Sequence, residues 1–255
     1  MPLQRELLLI ERLWTLPSRE PADGVVAFRL VLIHGITNAS RLDDPSKIGE
    51  ILSKRVPSAR ILEFHFPRFV PSQYSRWTGL KEEARVVNKR VHDTCDEMSN
   101  QETVDPTEIP LIFMGHGFGG FLTKQPTSSQ IFFGTPHRGV DLLSWENHVL
   151  RLLAFSKSTP GSISHLLQTL PEQLAEDAEE FAALSWQFHV MNMIEGQGTD
   201  YDTVLDRFSA SFDSRGGRNI IMSKKHSQLW DLQPEDPWLD TILAMLKSFV
   251  GVKTS

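Results

Sequence analysis

Four glycines fall within the six residues Gly115-His116-Gly117-Phe118-Gly119-Gly120, directly after the apolar run Pro110 to Met114. Glycines two positions to either side of a central residue suit a sharp strand-to-helix turn, which crowds the backbone around the residue it exposes. In the G-x-S-x-G form of such a turn the exposed residue is a nucleophilic serine. Here the centre is Gly117, which has no atom able to attack a carbonyl, so no acyl intermediate can form at this position. Gly115, Gly117 and Gly120 also satisfy the G-x-G-x-x-G spacing of dinucleotide sites. That fingerprint opens its domain and is followed about 20 residues on by an acid at the end of the next strand. The next apolar run here ends in Gly134-Thr135-Pro136-His137 instead, and no cofactor is expected. The nine histidines contain no pair at the i, i+4 spacing of a helical zinc site, and the single cysteine excludes a CxxC pair, so no metal is expected either.

Such a turn has to be held by a sheet. Short apolar runs occur at Val25 to Ile33, Ala59 to Phe64, Pro110 to Met114, Gln130 to Phe133 and Phe188 to Ile194, with a sixth at Arg218 to Met222 that leads to His226. They read as buried parallel strands. Helix-like segments lie between them: Ser46 to Lys54, Trp77 to Met98, a long amphipathic stretch from about 142 to 184, and Pro237 to Val250. Strands alternating with helices imply an α/β fold, a parallel sheet with helices on both faces. In such sheets the ligand site lies beyond the carboxyl ends of the strands, so the residues that follow each strand carry the interest. A chain of 255 residues accommodates one such domain, 1–255, with about 142–187 as a helical cap or insertion. The acidic run within Leu166 to Phe188 reads as a solvated helix face.

A net charge of −6, with no block of Lys or Arg, excludes an electrostatic grip on nucleic acid and leaves a small molecule as the expected partner. Cys95 is the only cysteine, so no internal disulfide forms, and a reducing, cytoplasmic setting is expected. The opening MPLQRELLLIERLW is broken by Glu6, Glu11 and two arginines. It is read as neither a signal segment nor a membrane span.

The segment from Ile109 to Gly120, with Lys124-Gln125 after it, resembles the strand and G-H-S-L-G-G elbow of fungal lipase-like α/β-hydrolases. Ile131-Phe132-Phe133-Gly134-Thr135-Pro136-His137-Arg138-Gly139 is similar to the next strand and turn of that family. Val31-Leu32-Ile33-His34-Gly35 resembles its oxyanion strand, and His226 stands where the family has a late histidine. The four matches run in order over about residues 25 to 250. The resemblance implies an α/β-hydrolase fold with Gly117 at the vacant nucleophile position and His226 as catalytic base. It implies Glu195 as the carboxylate that orients His226, with Asp206 as the alternative acid. It places the oxyanion donors at the backbone N–H groups of Phe118 and of Ile36, beside Gly35. These donors need no particular side chain and so survive the loss of serine. His34 and His137 are substrate-contact candidates that suit structural roles equally, and His116 is expected to point away from the site.

One departure concerns the connection after the elbow. Where the family runs a helix of several turns, only Gln125-Pro126-Thr127-Ser128-Ser129 remain before the next strand, and Pro126 is expected to end the helix about two turns after the elbow. Three functions fit the pattern. The first is a non-covalent enzyme, a lyase, isomerase, cyclase or water-activating hydrolase, with His226 as base on a small apolar carbonyl compound of natural-product type, as the biosynthetic setting of many fungal relatives implies. The second is a binding protein with a vestigial pocket. The third is a serine-to-glycine form of an esterase or lipase.

Overall fold

The computed structural model describes residues 14–15, 26–34, 47–65, 80–99, 109–124, 127–137, 175–187, 189–196, 205, 207–212 and 217–248. All six apolar runs are strands: β2 (Phe28–Ile33), β3 (Ala59–His65), β4 (Leu111–His116), β5 (Ser129–Phe133), β6 (His189–Glu195) and β7 (Arg218–Met222). A short strand not read from the sequence, β1 (Trp14–Thr15), pairs antiparallel with β3. The other six are parallel, and the sheet runs β1-β3-β2-β4-β5-β6-β7. β2 is buried at all six positions and β5 at all five, as expected of parallel strands covered on both faces.

One face is covered by α1 (Lys47–Arg55) and α6 (Pro237–Lys247). Helix α6 buries Leu239, Ile242, Leu243 and Leu246, the i, i+3, i+4, i+7 stripe of a helix laid on a core. These side chains join Ile48, Ile51 and Leu52 of α1 and alternate residues of the strands, among them Leu30, Leu32, Ile112, Met114, Ile131, Phe133, Met191 and Met193, in one apolar cluster. Burying each such side chain contributes roughly 1.5–3 kcal/mol, so this cluster dominates the stability of the sheet. On the other face a helix over 175–184, α4, brings Phe181 and Leu184 onto Phe132, Val190 and Phe212. Helix α2 (Leu80–Ser99) buries Val87, Val91 and Cys95, and the single turn α5 (Arg207–Ala210) buries Ser209 and Ala210. Among the described residues no helix is long and apolar enough to cross a membrane.

Three boundaries differ from the sequence reading. β4 continues through Gly115 and His116, which pair in register with Phe132 and Phe133, so the elbow begins only at Gly117. Glu195 is the last residue of β6, paired with Met222, rather than the first residue beyond it. Helix α3 (Phe118–Phe121) is one turn long instead of two. Its two glycines are poor helix formers, and the Thr123 hydroxyl donates to the Gly120 carbonyl at 2.9 Å, closing the turn well before Pro126. The short return to β5 is then tied by hydrogen bonds. Ser128 N–H donates to the Leu111 carbonyl at 3.0 Å, the Thr127 hydroxyl donates to the same oxygen, and the Gln130 amide donates to the Thr123 carbonyl at 2.6 Å. Lys124, its side chain wholly buried, forms a 2.7 Å ion pair with Asp177 of α4, so that helix braces the segment that follows the elbow.

Candidate active site at the elbow

The chain leaves β2 for β3 on one side, and β4 lies on the other side of β2. The crevice beyond the carboxyl ends of β2 and β4 is therefore the switch point where α/β sheets hold ligands. His34 and Gly117 follow those two strands.

Gly117 has φ 53° and ψ −122°, a backbone that side-chain-bearing residues adopt only under strain. Its N–H donates to the Phe133 carbonyl at 2.9 Å, and its own carbonyl accepts from Gly120 N–H at 3.1 Å. The flanking glycines answer to crowding. A Cβ on Gly115 would lie 2.5 Å from the Gly120 Cα, and one on Gly119 would collide with the Ile33 carbonyl. Position 117 itself is open. A Cβ there would stand 3.7 Å from His226 Nε2, an ordinary contact, so a hydroxyl one bond further out would fall within reach of that nitrogen.

His226 opens a 3-10 turn (His226–Gln228) shortly after β7 and is 5% exposed. The turn is closed by Leu229 N–H on the His226 carbonyl at 3.2 Å and capped by Lys225 N–H on the Gln228 side chain at 3.3 Å. Lys224 ties the loop down by donating to the Asp231 carbonyl at 2.7 Å and to the Asp236 carboxylate at 2.5 Å, ahead of α6. The imidazole lies against Gly134, whose φ is also 53°. A Cβ on Gly134 would come within 2.7 Å of both Cε1 and Nδ1 of the ring. Glycine at 134 therefore makes room for His226. Beyond Nδ1, Glu195 Oε2 stands 3.9 Å away, while Glu195 Oε1 accepts Leu205 N–H at 2.8 Å. At that separation the carboxylate faces the ring without a hydrogen bond to it.

Burial is the main influence on the protonation of His226 and holds its pKa well below the usual histidine value, with His116 adding to the depression. Burial likewise lowers His116 to about 4, against a hydrogen bond from its ring to the His226 carbonyl and with His34 adding to the depression. Both rings are neutral at pH 7. His116 therefore does not point away from the site as the sequence suggested. Its Nε2 is 3.4 Å from the His226 carbonyl oxygen and its ring is 5.2 Å from the His226 ring, because β4 carries it to the same end of the sheet. His34 Nε2 accepts the Trp230 indole N–H at 3.3 Å and stands 3.9 Å from Glu63 Oε2. Trp230, placed four residues after His226, was not singled out in the sequence. A large aromatic at that offset from a turn histidine was the available signal.

His137 belongs elsewhere. It has no accessible surface and sits edge-on to Phe132 at 4.6 Å and beside Phe212 at 5.5 Å, with its N–H on the Ser209 carbonyl at 2.7 Å. That is a buried packing position. Phe118 begins α3, where the first N–H groups of a helix have no partner within the helix. Gly35, Ile36, Asp206 and residues 142–174 of the expected cap lie outside the described residues. Among the described residues no cluster of three His, Cys, Asp or Glu side chains could hold a metal ion. A groove of about 750 Å³ lined by His189, Met191, Arg218, Asp240 and Met245 lies at the opposite, amino ends of β6 and β7.

No protein-family model matches the chain, and no curated protein matches it. Solved structures do. The siderophore hydrolase EstB from Aspergillus fumigatus superposes with a TM-score of 0.54 at 12% identity, over 94% of this chain and 96% of that one. The putative non-heme bromoperoxidase BpoC from Mycobacterium tuberculosis H37Rv gives the same four values. The chain has the α/β-hydrolase fold. TT1662 from Thermus thermophilus also superposes, with a TM-score of 0.50 at 14% identity over 95% of this chain and all of the other. In this chain the turn at Gly117 comes first, then Glu195, then His226, which is the order of elbow, acid and histidine in the α/β-hydrolase fold.

Proposed function

We propose that this chain is a lipase-like α/β-hydrolase relative, of the kind found in fungi, that has lost its serine and works by non-covalent acid–base chemistry. Its substrate would be a small apolar carbonyl compound. In this reading His226 Nε2 removes a proton, either from the carbon next to the carbonyl or from a water in the space beside Gly117. The electron pair moves onto the carbonyl oxygen or into the new C–O bond, and the developing oxyanion is met by the backbone N–H groups of Phe118 and Ile36. Glu195 steadies the imidazolium that results, and the proton is later returned to the product. Enolate formation suits a lyase, isomerase or cyclase, and water activation suits a hydrolase. The single cysteine fits a cytoplasmic setting.

The observation that carries this reading is the 3.7 Å separation between His226 Nε2 and the Cβ that Gly117 lacks. A buried, neutral imidazole faces the position of the missing side chain. The test is deuterium incorporation next to the carbonyl of a panel of small ketones and esters in D₂O, followed by NMR. Exchange is expected to fall by roughly 10²–10⁴-fold in His226→Ala. Its acidic limb should lie below the ordinary histidine range, since burial keeps His226 neutral there. Exchange that persists unchanged in His226→Ala ends the proposal.

A second reading draws on the same space. The 3.7 Å gap and the strained backbone at 117 suit a serine, so the chain would be a serine esterase with glycine at its nucleophile position. Rapid hydrolysis of nitrophenyl acetate by Gly117→Ser favours this reading, and its absence favours the first.

A further inference from the structure

His34 ends β2 as half of a second buried carboxylate–imidazole pair. Its Nε2 is 3.9 Å from Glu63 Oε2 of β3, and both side chains are almost wholly inaccessible. The same nitrogen accepts the Trp230 indole N–H at 3.3 Å, the rings meeting edge-on at 4.9 Å and 72°. A ring nitrogen that accepts a hydrogen bond carries no proton, so the neutral ring carries its proton on Nδ1. Protonating Nε2 would set two N–H groups against each other and turn the new one toward Glu63. Indole and carboxylate therefore compete for one nitrogen. The indole is within hydrogen-bond range and the carboxylate is outside it. From β4, His116 also faces His34, and positive charge on either ring opposes charge on the other. The indole is held in turn, 5.8 Å from the His116 ring and edge-on to Phe133 at 5.1 Å.

Resting on the proposed function for its catalytic consequence, we propose that Trp230 is a positioning residue that holds His34 in its neutral Nδ1–H form. His34 then stays uncharged and is kept from competing with His226 for the substrate proton.

The experiment is long-range ¹H–¹⁵N NMR on the full chain with labelled histidine, His34 being assigned by His34→Gln. The wild-type spectrum should show a pyridine-like Nε2 and a protonated Nδ1 from about pH 8 down to about pH 6, across the ordinary histidine pKa. Trp230→Phe keeps a ring in place and removes the donor. Nε2 should then take a proton beside Glu63, and the double variant Trp230→Phe with Glu63→Gln should return the ring to neutral. In the D₂O exchange assay Trp230→Phe should add a titrating limb that the wild type lacks. A protonated Nε2 in the wild type, or an unchanged His34 in Trp230→Phe, overturns the inference. If Trp230→Phe does not fold, the wild-type spectrum alone decides. A bare Nε2 in a protein without exchange activity would end the catalytic reading and leave this one standing. A protonated Nε2 in an active protein would do the reverse.

Discussion

Two imidazoles meet two carboxylates at this end of the sheet with the same 3.9 Å spacing, Glu195 with His226 and Glu63 with His34. They differ in what reaches the nitrogen that faces the acid. His34 Nε2 already accepts the Trp230 indole, whereas among the described residues nothing hydrogen-bonds His226 Nδ1, which has Glu195 3.9 Å away, and its other nitrogen faces Gly117. An imidazole with a bare nitrogen on the open side can accept a proton there, and one whose lone pair is occupied can only donate. Distance to a carboxylate therefore does not by itself mark a catalytic histidine. The remaining neighbours decide its role.

The most direct way to break this comparison is to neutralise each acid in turn. On the proposed mechanism Glu195→Gln is expected to lower D₂O exchange roughly a hundredfold or more, because the His226 imidazolium loses the carboxylate that balances its charge. Glu63→Gln, whose partner is held by Trp230, should change exchange only a few-fold. Equal losses in the two variants would mean that the pairs do the same work. A second contrast sets Gly134 against Gly117, which share φ 53°. Gly134→Ala drives a methyl to within 2.7 Å of the His226 ring and 2.8 Å of Leu229. It should destabilise the chain by about 1–3 kcal/mol in urea unfolding, from crowding and strain together. Gly117→Ala meets only an ordinary contact, so strain alone remains, about 1–2 kcal/mol. A Gly134→Ala variant as stable as Gly117→Ala would show that the ring does not pack there.

The smallest effect at neutral pH is acid sensitivity. The fold holds His116 and His226 neutral with depressed pKa values, so below the unfolded value of about 6.5 the unfolded chain binds more protons than the folded one. Their contribution is complete above pH 6.5 and is lost as pH falls, for His116 over the interval down to about 4. The His116 share is at most about 3 kcal/mol across that interval, and less because the side chain is only part-buried. His116→Asn should flatten the loss of stability between pH 6.5 and 4 in urea titrations. An unchanged slope would place the sensitivity elsewhere.

Much of the frame was legible in the residues. Apolar runs of four to nine residues ending in glycine, proline, histidine or a charged residue became strands near the expected positions, because burial on both faces demands that composition locally. The glycines of the elbow were legible for a similar reason. Gly115 answers to Gly120 and Gly117 to its own φ, constraints written into short spacing, whereas Gly119 answers to the distant Ile33 carbonyl. The single-turn α3 was not legible, since its early stop depends on the Thr123 carbonyl accepting from Gln130 of β5 and on Lys124 reaching Asp177 of α4.

The site divides in the same way. By itself the sequence determined that position 117 cannot supply a nucleophile, that a sharp turn follows β4, and that the chain winds into a parallel sheet, all of which follow from residue type and local periodicity. Only the tertiary structure decided that His116 turns toward His226 across 110 residues, that Trp230 reaches His34 across 196, and that Glu195 faces His226 at 3.9 Å. Those pairings depend on strand order and register. A period of two or of 3.6 residues says which face a side chain takes, and it carries no information about which distant strand end arrives beside it.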